Sequence, residues 1–299
     1  VVLGVAGVTP GASNRWSWVS VTMMICLPWL GIKYVPLALV LAIFLVWNHK
    51  DDPGVILKLQ LFSLLFSGAI YLIVHQRIYG SWTVYATGDH FVDSEWAVVG
   101  NSPNYAGRTR RLLGLIVDRR FGIAAWTPVY LLVPLVVART IRRRDQNWHV
   151  AITLCAVGWA VATWIALTMH GWWWSGRQIV PVLPVMAILL AMAVDQNRRR
   201  LQLVVAATLV GTFSWLWLVV ETSTGQHTLI VDFERTTNPL YRLWSVALPD
   251  HQIMSVGDHL LTALWSAAVI CGCWWVWTRS QGEPRSQSAT STDSSDAAR

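Results

Sequence analysis

The residues best suited to chemistry in this chain are arginines beside apolar segments. The stretch LLGLIVDRRFGIAAWTPVYLL, residues 112–132, sets Asp118, Arg119 and Arg120 directly before an apolar run, with Arg108, Arg110 and Arg111 just upstream. Guanidinium forks grip phosphate oxygens in pairs and stay charged at any physiological pH. A second stretch, HGWWWSGRQIVPVLP at residues 170–184, places Arg177 at the start of another apolar run, behind His170 and three consecutive tryptophans, Trp172, Trp173 and Trp174. Aromatic faces suit sugar rings, polyprenyl chains and lipid headgroups alike. Together these residue types point to an anionic ligand at a membrane surface, with a lipid phosphate as the chemistry that fits. Ordinary roles stand beside this reading. Boundary arginines snorkel or pair with a neighbour such as Asp118. Interfacial tryptophans anchor, and a lone histidine is more often structural.

The elements that must hold these residues are helices in a membrane. Of the 299 residues, 54% are hydrophobic and 13% charged, against about 25% charged in soluble domains. The apolar residues fall in long runs, as in a polytopic membrane protein. The pattern predicts an all-α transmembrane bundle with six clear spans, at residues 54–75, 121–138, 148–169, 178–194, 201–220 and 259–277. A short N-terminal helical pair, residues 16–30 and 34–47, precedes them. Prolines inside the apolar runs, Pro28, Pro36, Pro128, Pro134, Pro181 and Pro184, mark kinks or helix starts.

Charge sets the orientation. Lys50, the cluster Arg139, Arg142, Arg143 and Arg144, the run Arg198–Arg200, and Arg279 with Arg285 all fall on one side in this count. The positive-inside rule assigns that side to the cytoplasm. Arg119, Arg120 and Arg177 then face outward. Residues 1–278 form the membrane domain, and the Ser-rich residues 279–299 form a disordered cytoplasmic tail. The expected location is a bacterial plasma membrane. The net charge of +7 lies in short loops, and no nucleic-acid-binding pattern accompanies it.

Other chemistry has weaker support. The outer carboxylates are Asp89, Asp93, Glu95, Asp118, Asp232 and Glu234. Residues 89–95 could hold a divalent cation, although a solvated polar loop is the plainer reading. No P-loop, dinucleotide fingerprint, HExxH or nucleophile elbow occurs. Cys26, Cys155, Cys271 and Cys273 all lie in apolar runs and read as small buried residues.

Three segments carry a resemblance to bacterial membrane glycosyltransferases of the GT-C superfamily, the mannosyl- and aminoarabinose-transferase type. GLIVDRRFGIAAWTPVYLLVPL resembles their GLLFDRRYGLLPYAPVYLL type of segment. WWWSGRQIVPVLPVMAILLA resembles their WWGGWSFGPRYLLPVLPFLALPLA type, and CLPWLGIKYVPLALVLAIFLVW resembles a segment containing LPWLHVRYLPLAL. The order and rough spacing match over residues 16–200. The resemblance implies transfer of a sugar from a polyprenyl-phosphate donor to an acceptor on the outer face. Arg119, Arg120 and Arg177 would bind the lipid phosphate, and Tyr105, His170 and Trp172–Trp174 would shape the sugar or lipid groove. The family's acidic first outer loop has no counterpart in Gly31-Ile32-Lys33. The chain, which begins with Val and shows no secretory leader, is therefore expected to be the C-terminal portion of a longer enzyme. A lipid-linked sugar transporter and a non-catalytic membrane partner subunit are the alternatives.

Overall fold

The structure, a computed structural model, describes residues 1–9, 11–49, 54–80, 82, 104–143, 148–166, 169, 175–194, 198–226 and 235–279. Among these residues every regular element is a helix. In chain order they are α1 (Val2–Gly7), α2 (Asn14–Leu30), α3 (Val35–Asn48), α4 (Val55–Tyr79), α5 (Tyr105–Arg108), α6 (Arg111–Val117), α7 (Ile123–Trp126), α8 (Val133–Arg143), α9 (His149–Ala160), α10 (Leu183–Val194), α11 (Arg198–Ser223), α12 (Pro239–Ser245) and α13 (Val256–Arg279).

Three of these, α4, α11 and α13, are unbroken, long and apolar enough to cross a membrane. α4 runs 25 residues without proline and stops at Gly80, whose φ of 74° is the left-handed conformation that closes a helix cheaply only in glycine. Their outward faces are strongly apolar, with Leu65, Leu209 and Leu264 each more than 60% exposed. A surface of this kind fits lipid rather than water.

The other three expected spans are not single membrane-length helices. Residues 121–138 break into α7, a 3-10 turn at Pro128–Leu132 and α8. Pro128 and Pro134 cannot donate backbone hydrogen bonds, and each sits at a fresh helix start. α9 passes into a wide π turn at Val161–Ile165 and ends at Ala166. Residues 175–182 form turns, and α10 begins only at Leu183, beside Pro181 and Pro184. Its 12 residues extend about 18 Å at 1.5 Å per residue, well short of the roughly 30 Å hydrocarbon core. At the N-terminus, α2 and α3 are separate packed helices joined by a 3-10 turn at Ile32–Tyr34.

α2, α3, α9 and α10 surround the main core, which includes Leu37, Leu41, Leu45, Leu154 and Leu189. A smaller core lies at one end of the bundle. There Val117, Phe121, Trp126, Leu218, Tyr241 and Leu248 bring α6, α7, α11 and the 239–248 segment together. Cys155 is buried, whereas Cys26 and Cys271 are exposed on apolar outer helix faces, contrary to the expectation that all four cysteines are buried; all four are free thiols.

Candidate functional site

The DRR segment forms the bend of a hairpin between α6 and α7. α6 ends at Asp118, where the backbone turns extended. Asp118 Oδ1 accepts hydrogen bonds from the amides of Arg120 (3.0 Å) and Phe121 (2.7 Å). This side-chain turn is a habit of aspartate, whose carboxylate reaches amides two and three residues on. Gly122 completes the bend, because a Cβ there would lie 2.4 Å from the Asp118 nitrogen. Asp118 is fully buried, and its second oxygen accepts from the His251 amide at 2.9 Å.

That last contact begins a lattice with the segment between α12 and α13. The Arg119 amide donates to Pro249 O, and its Nε donates to Ser245 O and Leu248 O at 3.1 Å each. This puts a cation on the last carbonyl of α12, where partial negative charge collects, and on the turn that follows it. The Arg119 guanidinium also meets Asp258 at 3.4 Å, and Arg120 meets Asp250 at 3.2 Å and Gln252 Oε1 at 3.2 Å. Asp258 and Ser255 form a capping box: the Ser255 amide and hydroxyl donate to Asp258 Oδ2, and the Asp258 amide donates to Ser255 Oγ. Asp250 closes a turn by accepting from the amides of Gln252 and Ile253. Below the lattice, Tyr241 stacks on Trp126 at 4.2 Å and donates to Arg119 O. The His251 ring is buried, with Nδ1 3.3 Å from Asp118 Oδ2.

A second cationic group sits on the other flank of α6. Arg108 donates to Trp164 O at 2.5 Å, and Arg111 donates to Thr163 O and Ala166 O. The carbonyls left without helical partners where α9 unwinds are thus covered by guanidinium groups. Burial, then the nearby Arg108 charge, lowers the Arg111 pKa below the ordinary arginine value, and arginine stays cationic at physiological pH. A groove of about 700 Å³ has in its wall Leu112, next in sequence to Arg111, and Trp164, whose carbonyl Arg108 holds. Leu112, Ile116, Trp159 and Trp164 line its upper part, with Val137 and Ile141 of α8 and Ile270 of α13 further along. Its lining is almost wholly apolar.

Arg177 stands beside a third cation. Its carbonyl accepts from Lys33 Nζ at 2.9 Å, which joins the GIKY turn to the SGRQ turn, and neighbouring Gly176 packs on Ile123 of α7. Burial, then the Arg177 charge, lowers the Lys33 pKa from its ordinary 10.5. The turn at residues 31–34, the turn at residues 175–178 and the start of α7 therefore meet. No protein-family model, curated protein or solved structure matches this chain.

The expected site residues have different partners. Arg119 and Arg120 belong to the carboxylate lattice, and Arg177 belongs to the Lys33 turn. Tyr105 is exposed, lies under the Arg108 guanidinium at 5.3 Å and is not part of the groove wall. His170, Trp172, Trp173 and Trp174 lie outside the described residues, as do Asp89, Asp93, Glu95, Asp232, Glu234 and the 280–299 tail. Among the described residues no group of three or more His, Cys, Asp or Glu could hold a metal ion. Sequence reasoning missed Asp250, His251 and Asp258. Ser255-Val256-Gly257-Asp258 ahead of an apolar run was a readable signal, since it has a capping-box spacing. It also missed Glu221, which is buried and takes hydrogen bonds from Trp217, Thr236 and Thr237 at the end of α11.

Proposed function

We propose that this chain is the membrane portion of a GT-C-type glycosyltransferase that uses a polyprenyl-phosphate-linked sugar. The observation that carries the reading is an apolar groove whose wall includes Leu112, next to Arg111, and Trp164, whose carbonyl Arg108 holds. An amphiphile with an aliphatic chain and an anionic head matches it on both counts. Its volume lies in the usual range for ligand sites, about 300–1,000 Å³. The chain of the lipid lies along α6, α8, α9 and α13, and the phosphate meets Arg108 and Arg111 at the rim. Lys33 and Arg177 supply further positive charge at the same end of the bundle. Arg119 and Arg120 act indirectly, by holding the segment that frames this end.

In the reaction an acceptor hydroxyl oxygen bonds to the anomeric carbon of the sugar, and the bond from that carbon to the phosphate oxygen breaks. The hydroxyl proton passes to a base, and polyprenyl phosphate leaves with the bonding electrons. Cations at the rim stabilise the charge that grows on the leaving phosphate. No described residue is assigned as the base. With the arginine-rich loops inside, the reaction faces outward in a multi-pass membrane protein with a cytoplasmic C-terminus.

Native mass spectrometry of the detergent-solubilised chain tests the reading. Polyprenyl phosphate is expected to stay bound, the neutral polyprenol to bind at least tenfold more weakly, and Arg108→Ala with Arg111→Ala to erase the difference. Equal retention of the two lipids by the unaltered chain would refute phosphate recognition. Phosphate-dependent binding without sugar transfer, once the rest of the protein is supplied, would favour a lipid-linked sugar transporter.

A further inference from the structure

The segment of residues 239–258 is built inside out for a loop in water. Its carboxylates turn inward: Asp250 and Asp258 are buried, and both are engaged by the DRR hairpin. Its apolar side chains turn outward. Leu243, Val246, Ile253 and Val256 are 79%, 73%, 74% and 80% exposed. Large apolar side chains left this bare and this close together mark a binding surface.

Spacing gives the surface its direction. On and just beyond α12, Leu240, Leu243 and Val246 recur every third residue and share one side of the chain, while Tyr241 and Leu248 pack into the core below. On α13, Val256, Leu260 and Leu264 recur every fourth residue and are all more than 60% exposed. The bare apolar side chains of the segment therefore lead, through Val256, onto the outward stripe of a helix long enough to cross a membrane.

We propose that residues 239–256 are an interfacial membrane anchor, seated at the headgroup–acyl boundary of the leaflet at this end of the bundle, with lipid as their partner. Continuity with the stripe on α13 selects lipid over a protein. The lattice then has a specific role. Backbone polar groups near hydrocarbon must be satisfied from within the protein, and Arg119, Asp118, Asp250 and Asp258 satisfy the carbonyls of Ser245, Leu248 and Pro249 and the amides of residues 250–253 and 255 from the inner side. The anchor rests on α11 and α13 crossing a membrane. It does not depend on the transferase reading or on which way the chain faces.

Site-directed fluorescence tests this in the full chain, with Cys26, Cys155, Cys271 and Cys273 replaced by alanine. Single cysteines at Leu243, Val246, Ile253 and Val256 are labelled with an environment-sensitive fluorophore in vesicles of phosphatidylcholine and phosphatidylglycerol. Gln226→Cys serves as the water reference and Leu264→Cys as the bilayer reference. The four probes are expected to be quenched by lipid nitroxides as strongly as the Leu264 probe and to lose the iodide quenching seen at Gln226. Burial at the boundary is about 5–10 Å deep, so a nitroxide at acyl carbon 5 quenches more than one at carbon 12. Thermal midpoints matching the unlabelled protein verify that the lattice survives, and Leu240→Cys and Leu260→Cys give a second set. Iodide quenching equal to that at Gln226 overturns the proposal. Protection from both quenchers, with crosslinks between copies, also overturns it, because a second copy would then cover the face.

Discussion

Replacing Arg119 with alanine separates a scaffold from a ligand-binding residue. The side chain holds Ser245 O and Leu248 O through one shared Nε and reaches Asp258 at 3.4 Å. A hydrogen bond from a charged donor contributes about 1.5–3 kcal/mol, and the shared Nε counts once. Its ion pair adds little, about 0–1 kcal/mol, because Arg119 is 36% exposed and water screens it. Asp258 keeps its Ser255 and Asp250 donors, so it is not left bare. The expected loss for Arg119→Ala is therefore about 2 kcal/mol. Arg119→Lys restores only part, because an ammonium cannot reproduce the fork. A double-mutant cycle with Asp258→Asn should return a coupling of about 0.5–1 kcal/mol. Reversible denaturation in micelles measures stability, and native mass spectrometry measures lipid affinity in parallel. The reasoning is refuted if Arg119→Ala leaves stability within about 0.5 kcal/mol of the parent, the range of neutral surface changes, while affinity for polyprenyl phosphate falls tenfold.

Other substitutions probe neighbouring parts. Gly122→Ala drives a Cβ into the Asp118 backbone and should cost about 3 kcal/mol or more, read as a lowered unfolding midpoint. Asp118→Asn keeps one acceptor oxygen but turns an NH₂ group toward an amide it formerly accepted from. A loss of about 2–3 kcal/mol follows, measured by the same denaturation. Ala156→Trp, on the groove wall, should fill the channel and cut polyprenyl-phosphate retention at least tenfold with stability little changed; unaltered retention would place the lipid elsewhere.

The helical class and the segments that carry charge were legible because apolar runs and arginine clusters are local signals. The number of membrane-length helices was not, since hydropathy averages over breaks that single residues impose. Pro128 and Pro134 split one expected span, and Pro181 and Pro184 delay another until Leu183. DRR was legible as a special segment, but its partners were not. Arg119 meets Asp258 139 residues later, and no local pattern joins them. The groove was invisible for a different reason. Its walls come from α6, α8, α9 and α13, and each contributes ordinary apolar residues in a chain where such residues are the norm. The arginines at 108–111 were legible as charge, but not that Arg108 holds the carbonyl of Trp164, a residue of the groove wall.

The most direct test is photolabelling with a polyprenyl phosphate that carries a diazirine in its chain, followed by peptide mapping of the labelled protein in vesicles. The account predicts labels concentrated in Leu112–Ile116, Ile152–Trp164 and Val269–Ile270, displaced by unlabelled polyprenyl phosphate but not by polyprenol. Labels spread evenly over the outward faces of α4 and α11, without competition, would contradict it.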